Sequence, residues 1–349
     1  PEIISFAGGL PAPEDMLDKK CIIGGELADF TYRECQKEMD LLNKAFYETM
    51  LEGDAEGKLF AYPIPTYNIH KRFDWDNPNN ELLWEMAGKY GTPYFANFIN
   101  SELDIKDVRS MCCRLRLDLS ELRHRNGGLF GAGDSTGSIG VVTINLPRIA
   151  YENKGNKDKF FEALKGYLDI AKDSLEIKRE WLQRNILDTN AIPAYMEYVG
   201  TIKNHFSTIG VVGMNEMCEN FMGKNILEED ARAFSLEVGE FIRKALIEYQ
   251  EETGHLFNYE ATPAESTCYR LALIDKKMYP DIITQGEGTG VYYTNSCYIP
   301  VKLVSGIDST FKHQDDLQIQ FTGGTVIHCY LKGGVPGETA KSIVKSMFD

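Results

Sequence analysis

Cysteines at C-x-x-C spacing are missing from this chain, whose eight are Cys21, Cys35, Cys112, Cys113, Cys218, Cys268, Cys297 and Cys329. That absence excludes a zinc-ribbon or thioredoxin-like site and a secreted disulfide framework. Reduced, mostly buried thiols in a cytosolic protein are the expectation. Long apolar runs are missing as well. None approaches the ~18 residues that span a bilayer, and Pro1-Glu2-Ile3-Ile4-Ser5 lacks a basic region followed by an apolar stretch. The chain is therefore read as soluble, unprocessed and cytoplasmic, without a membrane partner. Basic charge is scarce: 37 Lys and Arg face 52 Asp and Glu, for a net charge of -15. Such a surface repels polyanions, which excludes nucleic acid polymers as partners. A small anion would have to meet locally arranged backbone N–H groups instead. His328 has no second histidine or carboxylate at ligand spacing, so it reads as a core histidine within a strand, and no metal site is predicted. Repeats, Ser/Pro-rich linkers and low-complexity tracts, which would mark a domain boundary, are also missing.

What is present suits a large core: 349 residues, 43% hydrophobic and 26% charged, enough for one large α/β domain or two average ones. Phe160, Leu164, Tyr167, Leu168, Ala171 and Leu175 share one helical face, as do Ala231, Phe234, Val238, Phe241, Ala245 and Tyr249. Two further helices are expected over 34–51 and 78–89, the second opened by Pro78. Short runs over 92–99, 140–146, 207–212, 256–260 and 325–329 suit buried strands. Strands alternating with helices predict parallel pairing with right-handed crossovers, hence an α/β sheet or barrel. The segment 106–138 fits neither pattern and is rich in glycine, as a functional loop would be.

Two motifs in that loop mislead. Gly131, Gly133 and Gly137 lack dinucleotide-turn spacing, and a β-type run follows where a helix is needed. Gly133-Asp-Ser-Thr-Gly137 satisfies G-x-S-x-G with its strand and helix reversed. A better signal is Thr262-Pro263-Ala264-Glu265, which predicts a helix start with Thr262 at the N-cap, Pro263 in the first turn and Glu265 closing a capping box. A well-capped helix explains it fully. Its functional counterpart is that Ala264, Glu265, Ser266 and Thr267 offer N–H groups and hydroxyls to a phosphate at a strand's carboxyl end. Cys112 and Cys113 are adjacent, so at most one can address a given substrate atom, and two buried thiols are the plain alternative.

Ser110-Met-Cys-Cys-Arg114, Gly140-Val-Val-Thr-Ile-Asn-Leu-Pro-Arg148, Tyr293-Thr-Asn-Ser296 and Phe321-Thr-Gly-Gly-Thr-Val-Ile-His328 together resemble the anaerobic, class III ribonucleotide reductases. Tyr62-Pro-Ile-Pro-Thr-Tyr-Asn68, Thr92-Pro-Tyr-Phe95 and Ala261-Thr-Pro-Ala-Glu-Ser266 match in the same order. The resemblance runs from about Pro13 to the end of the chain. It implies a ten-stranded α/β barrel of the ribonucleotide-reductase and pyruvate-formate-lyase type, partial here, in a single catalytic domain over 1–349 with a finger loop at about 106–138. A Met-x-Cys-Arg pattern in the family selects Cys113 over Cys112 as the radical cysteine. It further implies that Ala264 to Thr267 hold the substrate phosphates and that Asn295, Ser296 and Ser138 line the substrate pocket. Implied partners are ribonucleoside triphosphates, dNTP or ATP effectors, a second subunit, and an S-adenosylmethionine/iron–sulfur activase that installs a glycyl radical. That glycine, and a zinc site, are expected on a segment beyond Asp349, and the isolated fragment is expected to be inactive.

Residues 1–12 look instead like the start of a fold-type-I aminotransferase, but no Schiff-base lysine context follows. The enzymatic rival is a glycyl-radical enzyme of the pyruvate formate-lyase type, against which the phosphate-ready helix start argues. A rival of another class is a nucleotide-binding or dimerising piece without turnover.

Overall fold

The computed structural model describes residues 17–60, 65–71, 73–99, 108–110, 116–118, 137–331 and 333–348. The chain divides into two compact units, one of Pro1–Cys113 with Tyr330–Asp349, the other Arg114–Cys329. Among the described residues, no helix is long and apolar enough to cross a membrane.

In the first unit, strands β1 (Lys20–Ile23) and β2 (Glu26–Thr31) form an antiparallel hairpin. It turns through Gly24 and Gly25 at φ of 60° and 90°, a region glycine enters without a Cβ clash. The hairpin has almost no core, since Cys21 is its one buried residue. Helix α1 (Gln36–Glu52) then leads to strand β3 (Thr66–Ile69), helix α2 (Glu81–Tyr90) and strand β4 (Tyr94–Asn97). β3 and β4 pair in parallel, as a β-α-β crossover requires. Pro78 opens the second expected helix through a 3-10 turn, Pro78–Asn80, capped by Asn77, whose Oδ1 accepts from Asn79 N at 3.0 Å. Tyr47, Met50, Tyr67, Leu83 and Met86 form the core of this unit. The helix Gly337–Phe348 packs on α2, where Gly88 meets the backbone of Val335 so closely that no Cβ would fit.

The second unit is built on a three-stranded parallel sheet of β5 (Gly137–Asn145), β6 (His205–Val212) and β7 (Leu256–Glu260), with β6 in the centre. Between β5 and β6 run helices α3 (Leu146–Glu152), α4 (Lys157–Leu182) and α5 (Pro193–Tyr198). Between β6 and β7 run α6 (Met214–Met222) and α7 (Glu229–Thr253), and α8 (Glu265–Met278) follows β7. The two long helices predicted from periodicity are α4 and α7, and they bury the predicted faces except at Tyr167, which is exposed, and Phe241, which is half-buried. Phe160, Leu164, Leu168, Ala171 and Leu175 of α4 join Ala231, Phe234, Val238 and Ala245 of α7 over Ile144, Ile209, Val211, Phe257 and Tyr259 of the sheet. At the amino end of the sheet the buried Arg179 ties α4 to β6. Its guanidinium donates to Ile202 O at 2.9 Å, His205 O at 2.8 Å and Ser207 Oγ at 3.2 Å.

Two sequence expectations are corrected. Residues 325–329 form no strand, so His328 lies on irregular backbone. The polar groups there are met from the side, with Val326 N donating to Tyr298 Oη at 3.3 Å and Gln318 Nε2 to Val326 O at 3.5 Å. The second concerns α8. Its N-cap is Ala264, in a left-handed conformation at φ 45° and ψ 31°, and no side chain caps it. Thr262 does not reach the helix because its side chain lies over Gly210 of the neighbouring strand, so the expected capping box is not formed.

Candidate active site

The site is best approached from the sheet. Register pairs Thr208 with Asn258, Gly210 with Glu260 and Gly210 with Thr143, so these residues share the face opposite the apolar core. On this face Thr208 Oγ1, both amide atoms of Asn258 and Thr262 Oγ1 are buried without hydrogen-bond partners. Leaving a buried polar group unpaired costs roughly 2–7 kcal/mol. The face therefore holds unmet hydrogen-bonding capacity where the other face holds hydrocarbon. Gly210 makes room for it, since a Cβ there would strike Thr262.

At the carboxyl ends of the strands, the chain after β6 pairs with the segment 294–296. Gly213 N donates to Thr294 O at 2.8 Å and Met214 N to Ser296 O at 3.0 Å. The first turn of α8 meets the same segment through Cys268, whose Sγ donates to Asn295 Oδ1 at 3.2 Å. Burial pushes the Cys268 thiol up to about 12, so it remains a donor. Ser296, at φ 44°, has its Oγ buried and unpartnered.

Three carboxylates hold this corner. Glu216 of α6 is fully buried and accepts from Thr294 N at 2.9 Å, Thr294 Oγ1 at 2.7 Å, Gln285 Nε2 at 2.7 Å and Asn215 Nδ2 at 3.0 Å. Glu219, one turn on, shares the Asn215 and Gln285 donors at 3.0 and 3.3 Å. Burial, reinforced by the neighbouring Glu216, raises the Glu219 carboxyl to about 7. Asp275 of α8, also fully buried, accepts from Arg148 Nε at 2.7 Å, Asn145 Nδ2 at 2.8 Å and Tyr293 Oη at 2.7 Å, and is ion-paired with Arg148 through a second guanidinium nitrogen. The buried Asp275 carboxylate is hydrogen-bonded through both oxygens to Asn145, Tyr293 and the half-buried Arg148, the condition under which a buried charge holds geometry. It fixes α8 against the end of β5.

The structure thus links the helix start that holds Ala264, Glu265, Ser266 and Thr267 to the segment of Asn295 and Ser296 through Cys268. No side chain caps the helix at Ala264, which leaves the first-turn N–H groups of α8 without that partner, and Glu265 and Ser266 are exposed. Ser138 is not part of this group. It lies at the amino end of β5, seven residues from Asn145, a separation of about 20 Å along a strand. It does share the polar face, and its Oγ is buried and unpartnered. Cys112 and Cys113 lie outside the described residues. Sequence reasoning missed Thr208, Asn258, Glu260, Glu216 and Asp275. The alternation Asn258, Glu260, Thr262 was a usable strand signal, and Asp275 falls on the Cys268–Ala272 face of α8 at i+7.

A parallel sheet with helical crossovers, and polar groups and a helix start without a side-chain cap near its carboxyl ends, defines an α/β protein. The particular family follows from comparison: the chain belongs to the family described as anaerobic ribonucleoside-triphosphate reductase, whose sequence model matches residues 6–349. It is 28% identical over 256 residues to the anaerobic ribonucleoside-triphosphate reductase of Escherichia coli (strain K12), covering 67% of this chain and 34% of that protein. The corresponding enzyme of Enterobacteria phage T4 is 28% identical over 272 residues, covering 70% of this chain and 41% of that protein. The chain therefore spans about 34–41% of the length of these relatives. In fold it is similar to the anaerobic ribonucleotide reductase from Thermotoga maritima in complex with dATP and CTP, with a TM-score of 0.68 and 22% identity over 93% of this chain and 52% of that one.

Proposed function

We propose that this chain is the catalytic core of an anaerobic ribonucleotide reductase that converts ribonucleoside triphosphates to deoxyribonucleoside triphosphates. The observation that carries the reading is the family match over residues 6–349. The uncapped start of α8 beside Asn295 supports it independently. In this reading both units belong to one partial ten-stranded barrel spanning 1–349, and the finger at about 106–138 brings Cys113 to the ribose.

Backbone N–H groups of Ala264 to Thr267 bind the triphosphate, with Ser266 and Thr267 adding hydroxyls. Asn295 and Ser296 contact the nucleoside, and Ser138 belongs to the same polar face farther down the sheet. Cys113 is the hydrogen-abstracting residue, and Cys112 is left to pack against the finger or the barrel wall; both assignments rest on the Met-Cys-Cys-Arg sequence. A glycyl radical on another segment of the parent protein, installed by an S-adenosylmethionine/iron–sulfur activase, supplies the unpaired electron. Zinc is assigned to that same segment. Among the described residues, no group of three His, Cys, Asp or Glu side chains could hold a metal.

Effectors are dNTPs and ATP, and the assembly is a homodimer in the cytoplasm. For the dimer, α4 offers an exposed seam of Tyr167, Ile170, Ile177 and Trp181 at heptad-like spacing.

The test has two arms. Calorimetric titration with CTP should give at least about tenfold weaker binding in Ser266→Leu/Thr267→Leu, with circular dichroism unchanged; unaltered affinity removes the phosphate site. In the full-length, activated protein, Cys113→Ala should abolish deoxynucleotide formation while the glycyl radical still forms, and Cys112→Ala should keep turnover. Full activity in both would remove the thiyl reading.

A further inference from the structure

The N-terminal hairpin turns its single buried residue toward a second cysteine. Cys21 sits where the β1–β2 register shifts between Lys20 and Ile22, out of the regular ladder. Its Sγ lies 3.4 Å from the Sγ of Cys35, the last residue of the 3-10 turn Tyr32–Cys35 that opens α1. Ala28 and Thr31 are half-buried and the rest of the hairpin is exposed, with Ile22, Ile23 and Leu27 each at least 60% exposed. Among the described residues, the sulfur contact thus anchors the hairpin's one buried side chain.

The surroundings hold the two sulfurs in register. Arg33 donates through Nε to Asp18 Oδ1 at 3.0 Å, and Tyr32 N donates to Lys19 O at 3.2 Å, which lays residues 18–21 along residues 31–35. Glu34 accepts from Thr31 N at 2.8 Å and from Thr31 Oγ1 at 3.1 Å, bracing the turn. Cys35 Sγ also approaches Thr31 O at 3.6 Å. A disulfide has sulfurs about 2.05 Å apart, so closure needs a shift of little more than an ångström, within reach of a χ1 adjustment on the half-buried Cys35.

We propose that Cys21 and Cys35 form a redox-active dithiol, a modification site whose reagent is a small-molecule disulfide. Cys35, the more accessible thiol, attacks the external disulfide as its thiolate. One sulfur of the reagent becomes bonded to Cys35 and the other leaves as a thiol. Cys21 then attacks Cys35 Sγ and expels the second thiol. The protein loses two thiol hydrogens and gains one S–S bond, and the reagent is reduced to two thiols that carry those protons. The bond staples the hairpin to the start of α1, closing a loop between positions fourteen residues apart.

The test uses the reduced full chain in oxidised and reduced glutathione at graded ratios, quenched with N-ethylmaleimide and mapped by peptide mass spectrometry. The expected result is a Cys21–Cys35 cross-linked peptide appearing at a ratio at least about tenfold lower than that which glutathionylates the single thiol Cys329. Cys21→Ser should trap glutathione on Cys35, showing the first step without the second. Wild-type protein that accumulates glutathione on Cys35, or that leaves both thiols open to alkylation where Cys329 has reacted, overturns the proposal.

Discussion

Strand β6 places successive side chains in two different worlds. Ile209 and Val211 point into hydrocarbon between the sheet and helices α4 and α7. Thr208 points the other way, next to Asn258, where buried polar atoms have no partners. Both sides are shut off from water, so burial alone does not separate them. One face spends its burial on cohesion, and the other keeps donors and acceptors available at the expense of stability. The difference teaches where to look for chemistry in a fully buried strand: on the face whose hydrogen bonds do not close.

That contrast can be broken by mutation, most forcefully on the apolar side. Ile209→Ala should destabilise the protein by about 2–5 kcal/mol, because it leaves a cavity among well-packed helices. Urea unfolding with an unchanged m-value would read it, and a loss below about 1 kcal/mol would mean that this face is not the main source of cohesion. On the polar side, Thr208→Val with Asn258→Leu replaces unpartnered groups by apolar ones of similar size. Stability should stay within about 1 kcal/mol of the parent or rise, while CTP binding should weaken. A large loss of stability would show that these groups are paired in solution and would erase the contrast.

A pH-dependent effect concerns the carboxylate corner. Glu219 has its folded value raised to about 7 from 4.5, so the folded state favours the protonated form. The sign follows: the folded protein loses stability as pH rises from about 4.5 toward 7, and the loss levels off above that. The thermal midpoint should drift down across that window, and Glu219→Gln should flatten the drift. A variant with the same pH profile as the parent would place the titration elsewhere.

Much of the fold was legible because it rests on periodicity. The faces of α4 and α7 and the strands β5, β6 and β7 follow from local pattern, since long helices and short apolar runs must bury what they carry. The site was only half legible. Ala264 to Thr267 could be placed at a helix start, but the cap depended on Thr262, and its position over Gly210 is a contact between strands that no local pattern encodes. The polar face was hidden in β6 because Ser207 and Thr208 stand side by side and blur the alternation. Residues 325–329 read as a strand by composition, yet the backbone of Val326 is met by Tyr298 and Gln318 side chains rather than by a neighbouring strand.

The Asp275 cross-brace also bears on how the second unit assembles in time. Its carboxylate joins partners 130, 127 and 18 residues away along the chain, in Asn145, Arg148 and Tyr293. Contacts of such separation carry a high closure cost and form slowly. A charged carboxylate buried before its partners arrive is strongly disfavoured. Docking of α8, the end of β5 and the Tyr293 segment is therefore expected as one concerted event late in folding. The proposed phosphate-binding helix start would come into being with that step, so a chain stalled earlier is expected to hold its sheet and long helices without binding nucleotide.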